Sequence, residues 1–425
     1  MSDKKNLKSI VSWCLYDWAN TAFGTVIITF IFSVYFTREI AETETQGSAQ
    51  WSFAIAASGL GIAILAPLLG AITDHIGQKK KWIFIFSMIC IAATTFLWLA
   101  VPGMSALGII FILSLVAVAN LGLELAQVFY NATLKDIALP KMVGRMSGWA
   151  WGVGYLGGLT ALVCVLLLFI GLGDMKPLLT LGTDNFENIR ISAPFIALWF
   201  FVFMLPFFLF VPETKKSSLS WKEALVKGVN EIKDTIKNFR HHKNLLTFII
   251  SSAIYRDGLI TLFAIGGVYA AAQFGMNFTE ILIFAIGLNV TAAIGAISFA
   301  FMDDFVGSKK TIIVSLLGLI IVGCIVLVLE DKNIFILFSL LLGIFIGPAQ
   351  AASRTMVTKI CPDDMLTQGY GFYAFSGKSI SFLGPFLYGV ATTIFQTQQA
   401  GMVTIILFWL IGLMLLYHVK EKVVV

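Results

Sequence analysis

GAITDHIGQKK, Gly70 to Lys80, and AFMDDFVGSKK, Ala300 to Lys310, align without a gap at an offset of 230 residues. Asp74 matches Asp304, Gly77 matches Gly307, and Lys79 and Lys80 match Lys309 and Lys310; Ala300 stands where the first copy has Gly70. Each copy ends an apolar stretch with an acid, a glycine and two lysines, and a new apolar stretch follows. One such loop is an ordinary charged turn, but two at matched places mean a duplicated arrangement. A second block repeats at an offset of 223. Asn120, Glu124, Gln127 and Asn131 fall on Gly343, Gly347, Gln350 and Arg354, and Gly148 and Gly154 fall on Gly371 and Gly377. The change of offset requires a longer segment between the blocks in the first copy.

Outward from these loops the chain is apolar. Of its 425 residues 58% are hydrophobic and 12% charged, where a soluble domain has about 25% charged. A soluble enzyme is excluded, and so is a disordered chain, which needs many charges and little hydrophobicity. A membrane-spanning helix takes roughly 20 apolar residues. Twelve stretches of that length are expected, near 12–37, 52–73, 82–101, 106–133, 145–171, 191–211, 245–272, 279–302, 311–329, 333–357, 368–395 and 401–418. The fold class is therefore an all-α membrane protein. Pro348 and Pro385 are expected kink sites. The five cysteines are scattered and odd in number, which argues against a disulfide framework or a zinc site. The net charge of +5 gives no reason to expect a nucleic-acid partner. MSDKKNLKSI is too short, and too soon followed by Asp17 and Asn20, to be a cleaved signal peptide.

Charge sets the orientation. With the N-terminus inside, 22 of the 29 Lys and Arg fall in inside segments, four outside and three within spans. Both termini are then cytosolic. The long polar segment 212–244 separates two six-span halves, 1–211 and 245–425. In it Ser220 and Glu223 form a capping box. Trp221, Leu225, Val229, Ile232, Ile236 and Phe239 follow at helical spacing among lysines, as in an amphipathic helix at the membrane surface.

Two parallel six-span halves with an acidic, glycine-bounded, dibasic loop after spans two and eight resemble the major facilitator superfamily. The resemblance narrows to the vacuole-effluxer family, whose named member is a fungal vacuolar amino-acid exporter linked to autophagy. It rests on LYDWANTAF (Leu15 to Phe23), FYNATL (Phe129 to Leu134), GWAWGVGYLGG (Gly148 to Gly158) and YRDG (Tyr255 to Gly258). It extends through AASR (Ala351 to Arg354), GYGFYAFSGKS and Gly384–Pro385. Arg256 departs from the uncharged polar residue of the seventh-span motif. The resemblance implies alternating access. It also implies loops that act as cytosolic latches, with Asp74 and Asp304 capping neighbouring helices and Lys79, Lys80, Lys309 and Lys310 bridging the halves.

Ionisable groups inside spans are expensive and are functional candidates. Here they are Asp17, Glu124, Arg256, Asp257, Arg354 and Lys378, three of each sign. Asp17, Asn20, Thr21 and Gly24 share one helical face, either pinning span one to a neighbour or coupling to protons. Asn120, Glu124, Gln127 and Asn131 form a polar seam on span four, read either as interhelical glue or as the wall of a central cavity. Gln350 and Arg354 occupy the matching face of span ten, where Arg354 is either a snorkelling anchor or a cavity residue. Lys378 lies too deep to snorkel easily. Arg256 and Asp257, adjacent in span seven, point about 100° apart.

A cavity pairing Glu124 or Asp257 with Arg256 or Lys378 suits a zwitterion or an organic acid; the family resemblance favours amino acids. The expected function is secondary active efflux of a small polar solute, with protons as the coupling ion and no cofactor. A monomer in a bacterial cytoplasmic membrane is expected. The alternatives are an exporter of amphiphilic drugs or lipids and a non-transporting receptor. GFYAFSGKS has one residue too many between its glycines for a phosphate-binding loop and lies in an apolar span, so ATP hydrolysis is rejected.

Overall fold

The computed structural model of the chain describes residues 2–171, 175–213, 223–224, 226–230, 242–276 and 278–421. Among them, ten helices run continuously in the order expected. They are α1 Leu7–Ile40, α2 Glu44–Ile76, α3 Lys79–Leu99, α4 Ala106–Ile137, α5 Val143–Ile170 and α6 Glu187–Phe210, then α7 Lys243–Phe274, α8 Phe278–Val306, α9 Ser308–Leu327 and α10 Lys332–Ile360. The expected eleventh span is two helices, α11 Leu366–Ile380 and α12 Leu383–Phe395, and α13 Gln398–Tyr417 follows. The twelve-span, all-helical membrane fold is thus present, with one span broken. The break falls at Ser381–Phe382, ahead of Pro385. Pro385 sits in the first turn of α12, where no intrahelical donor is needed. α10 continues through Pro348. Most of the segment 212–244 lies outside the described residues, including Ser220, Trp221, Leu225, Ile232, Ile236 and Phe239. Residues 226–230 are helical, and Gly228 rests against Ala71 and Ile72 of α2.

By contacts the chain divides into two compact units. The first holds Met1–Leu65, Gln78–Tyr130 and Val153–Thr214; the second holds Ala66–Gly77, Asn131–Gly152 and Lys215–Val425. The second unit therefore takes in the last turns of α2, the end of α4 and the start of α5.

The core of the first unit is aromatic. Tyr130 of α4 stacks on Trp13 and Tyr16 of α1 at 4.5 and 4.6 Å, and Tyr16 meets Phe200 and Phe207 of α6. The buried hydroxyls are satisfied: Tyr130 donates to the Trp13 carbonyl at 2.8 Å, and Tyr16 pairs with Ser87 at 2.7 Å. α1 is π-helical over Phe23–Phe30 and Phe36–Ile40. Such wide turns are often found at functional sites.

The second unit packs by small residues. A Cβ at Gly347 of α10 would collide with the Ala292 carbonyl of α8, and one at Gly343 with the Thr291 hydroxyl. Gly343 and Gly347 thus form a small-xxx-small contact, which lets two membrane helices approach to backbone distance. Gly347→Val should cost about 1–3 kcal/mol by overpacking, read as a lower unfolding temperature of the purified protein. Gly59→Ala, in open space on α2, should leave that temperature unchanged or raise it.

Candidate functional site

Helices leave unsatisfied amides at their first turn, and those covered by neighbouring helices need an acceptor from the protein. Several helices here solve this with a carboxylate from elsewhere in the chain. In the second unit, the Asp74 carboxylate at the end of α2 accepts from the Thr367 and Gln368 amides of α11, at 3.0 and 2.8 Å. Asp304 at the end of α8 accepts from the Gly144 amide of α5 at 2.7 Å and from Arg145 Nε at 2.5 Å. Beside each clamp the helices touch. A Cβ at Gly70 would lie 2.7 Å from the Thr367 carbonyl, one at Gly371 2.6 Å from the Ala66 carbonyl, and one at Gly148 against Ala300. The two repeat blocks are therefore the two sides of one interface, made twice. Ala66, Gly70 and Asp74 correspond to Ala296, Ala300 and Asp304. Gly144, Arg145 and Gly148 correspond to Thr367, Gln368 and Gly371. Gly77 and Gly307 adopt φ of +74° and +102°, a region that favours glycine.

Two of the loop lysines, Lys80 and Lys309, contact their own sequence half. Lys80 Nζ donates to the Phe208 and Val211 carbonyls at the end of α6, at 2.8 and 2.6 Å, and Lys309 Nζ to the Tyr417 carbonyl at the end of α13, at 2.8 Å. Lys79 is buried and Lys310 exposed. An acid past each of those ends completes the arrangement. Glu213 accepts from the Lys80 amide, and Glu421 accepts from the Ser308 and Lys309 amides of α9. Glu421 also pairs with Lys359 at 3.1 Å, and Lys359 with Asp303 at 3.2 Å.

Arg354 belongs to the same clamped region. It is 3% exposed. Its Nε donates to the Ser147 hydroxyl at 2.9 Å and its Nη2 to the Ser147 carbonyl at 2.7 Å, and Nη1 reaches Asn131 Oδ1 at 3.3 Å. It ties α10 to the start of α5 and the end of α4.

Deeper in the second unit, the guanidinium of Arg256 on α7 lies over the ring of Tyr373 on α11, 4.0 Å from its centroid, with Gly377 alongside. Its Nη1 is buried and has no hydrogen-bond partner among the described residues. Asp257 turns the other way and accepts from the Gly384 amide of α12 at 2.8 Å. Gln350 and Lys378 are half-buried. In the first unit, Asn120 of the α4 seam donates to Ser58 of α2 at 2.7 Å, an interhelical bond of the glue kind. Glu124 and Gln127 are half-buried. Asp17 is buried and accepts from Asn20 at 3.3 Å.

Over residues 141–423 the chain matches the family described as "Vacuole effluxer Atg22 like", and over residues 3–162 the Major Facilitator Superfamily. The chain belongs to the vacuole-effluxer family. "Uncharacterized MFS-type transporter YxiO" of Bacillus subtilis (strain 168) is 26% identical over 426 residues, 99% of this chain and 96% of that relative. "Autophagy-related protein 22-1" of Neosartorya fischeri is 22% identical over 309 residues, 66% of this chain and 49% of that relative. The chain thus matches about half the length of such fungal relatives. Among solved structures, the proton:xylose symporter XylE has a TM-score of 0.76 at 13% identity, covering 99% of this chain and 97% of that one. FucP in the outward conformation has a TM-score of 0.75 at 10% identity, covering 98% and 100%. At that identity the likeness shows the fold alone. The chain is a multi-pass membrane protein of a transporter superfamily.

Sequence reasoning missed part of this region. Asp303, Lys359, Glu421 and Glu213 were not singled out; the doubled acid at 303–304, where the first copy reads Thr73–Asp74, is the visible signal. A third repeat was also missed. Asp17, Thr21 and Phe23 fall on Asp257, Thr261 and Phe263 at an offset of 240. Thr21 donates to the Asp17 carbonyl at 2.7 Å and Thr261 to the Asp257 carbonyl at 2.8 Å, with Gly154 beside one pair and Gly384 beside the other.

The clamp has a built-in reporter. Cys361 is buried between α10 and α11, its Sγ donating to the Met365 carbonyl. Burial pushes its thiol well above the usual range. Removing a cap carboxylate costs about 1 kcal/mol. Asp74→Ala should therefore raise alkylation of Cys361 about fivefold, read per peptide by mass spectrometry with exposed Cys324 as reference. An unchanged rate shows that Asp74 does not hold α11 over Cys361.

Proposed function

We propose that this protein exports a small amino acid or similar polar metabolite by alternating access, coupled to protons. It has two six-helix halves, 1–211 and 245–425, and works as a monomer in a bacterial cytoplasmic membrane with both termini cytosolic. The observation that carries the reading is Arg256. A planar guanidinium inside a membrane helix, lying over the Tyr373 ring and with a buried N–H unpartnered, suits the carboxylate of a solute. Asp257 and Lys378, in the same unit as Arg256, supply further charges for a zwitterion and a proton. Asp74, Asp304 and Arg354 serve as the cytosolic latch, and their loss shifts populations and leaves the solute site in place. The basic bias of the loops supports the orientation, and the full-length bacterial relative supports the membrane.

A second reading, export of amphiphiles, draws on a cavity of about 730 Å³ in the first unit between α2 and α4. Glu39 and Glu42 stand at one end of it, and Phe53 and Ile110 line it.

Counterflow in proteoliposomes separates the two readings. Amino acids should exchange and amphiphiles should not. Arg256→Lys keeps the charge and loses the planar fork. With a charged hydrogen bond worth about 1.5–3 kcal/mol, it should lower exchange roughly 10–100-fold. Flux that ignores a pH gradient removes proton coupling; absence of exchange for every amino acid removes the substrate class.

A further inference from the structure

The break between α11 and α12 is held by a carboxylate that is only half satisfied. Asp257 is 1% exposed. Its Oδ2 accepts the Gly384 amide at 2.8 Å, so it caps the thirteen-residue α12 from across the helix contact. The residue at the local cap position, Phe382, has no side chain able to do this. Asp257 Oδ1 is buried and, among the described residues, accepts no hydrogen bond. The site is closed around it. A Cβ at Gly384 would collide with Thr261 Oγ1, and one at Gly258 would lie 2.9 Å from Trp409 Nε1 of α13. Thr261 spends its hydroxyl proton on the Asp257 carbonyl, not on the carboxylate.

The ionisable groups of the surrounding helices leave that oxygen alone. On α7, Arg256 is turned onto Tyr373, and the Tyr255 hydroxyl pairs with Ser353. On α10, Arg354 is engaged with Ser147 and Asn131. On α11, the Tyr370 hydroxyl bonds the Arg354 carbonyl, and Lys378 is half-buried and is not a donor to Asp257 Oδ1. On α12, Tyr388 donates to Gln398. The acids of α8 stand at its two ends, where Glu280 pairs with Lys332 and Asp303 and Asp304 with Lys359 and Arg145. α13 brings Trp409 to the site and no charge.

A buried carboxylate oxygen with no donor is costly when charged, and the cost disappears when a proton sits on it. The α12 amides, with the positive end of the helix dipole behind them, favour the opposite, charged form. We propose that Asp257 is a proton-binding site whose charge state sets the junction between α11 and α12. In the charged form Oδ2 grips the Gly384 amide and draws α12 onto α7. When Oδ1 takes a proton from water, the net charge is lost, the cap weakens, and α12 is free to move relative to α11. The proton returns to water when the site next opens. No other group is oxidised, reduced or transferred. This deepens the proposed proton coupling and rests on it for its role in transport, while the site itself can be tested without a substrate.

Two measurements on the full-length protein in lipid nanodiscs decide it. The first is pH-titrated infrared difference spectroscopy. The wild type should show a protonated-carboxyl C=O band at neutral pH that fades as pH rises. Asp257→Asn should lack it and Asp257→Glu should shift it. The second is hydrogen exchange of the segment 381–388, corrected for intrinsic pH effects. Its protection should change several-fold with the same midpoint as the band in the wild type and stay flat in Asp257→Asn, whose amide oxygen can still accept from Gly384 and so preserve the fold. A band unaltered by Asp257→Asn overturns the assignment, and so does exchange at 381–388 that follows sodium concentration and ignores pH. If the band and the exchange behave as expected but counterflow ignores a pH gradient, the site stands and the coupling reading falls.

Discussion

A backbone amide at the start of a helix has to find an acceptor, and where it is packed against other helices water supplies it poorly. Among the described residues, five helix starts obtain one from a carboxylate distant in sequence. Asp74 serves α11, Asp304 serves α5, Glu421 serves α9, Glu213 serves α3 and Asp257 serves α12. None of α3, α9, α11 or α12 has a side-chain cap from its own preceding residue. By contrast, α10 and α13 are capped locally, by Asp331 and Thr397. The difference is one of permanence. A local cap folds with its helix and stays. A distant cap is a contact between helices, which can be released when they move.

That arrangement joins the sequence repeat to mechanism. The Asp74–α11 and Asp304–α5 contacts are the same contact in two copies, each set beside a small residue that lets backbones meet. Charge-assisted bonds to amides are stronger than neutral ones, and each cap is worth about 1 kcal/mol. Arg354 adds three donors to neutral acceptors in the same region. A buried guanidinium held in this way ties α10 to both α5 and α4.

Much of this was legible in the chain. The apolar stretches, the two loops and the paired glycines follow from local composition and spacing, so the number and order of spans could be read directly. Gly343 and Gly347 could be aligned with Asn120 and Glu124, yet their use was hidden. They pack α10 on α8, and nothing in the sequence says which neighbour a glycine meets. Asn120 and Arg354 were ambiguous for the same reason, since glue, gate and cavity use the same polar side chains. The break in the eleventh span was half visible: Pro385 marked it, but the carboxylate that makes a break tolerable sits about 130 residues upstream.

By itself the sequence determined an all-helical membrane fold, its internal duplication and the short set of charged residues inside spans, because hydrophobic length, turn chemistry and charge placement are local properties. Only the tertiary structure decided which acid caps which helix, that Arg256 turns to Tyr373 while Asp257 turns to Gly384, and that Asp303, Lys359 and Glu421 form one cluster. Those assignments depend on helices packed side by side, and the partner of a buried charge is whichever donor the fold brings within about 3 Å.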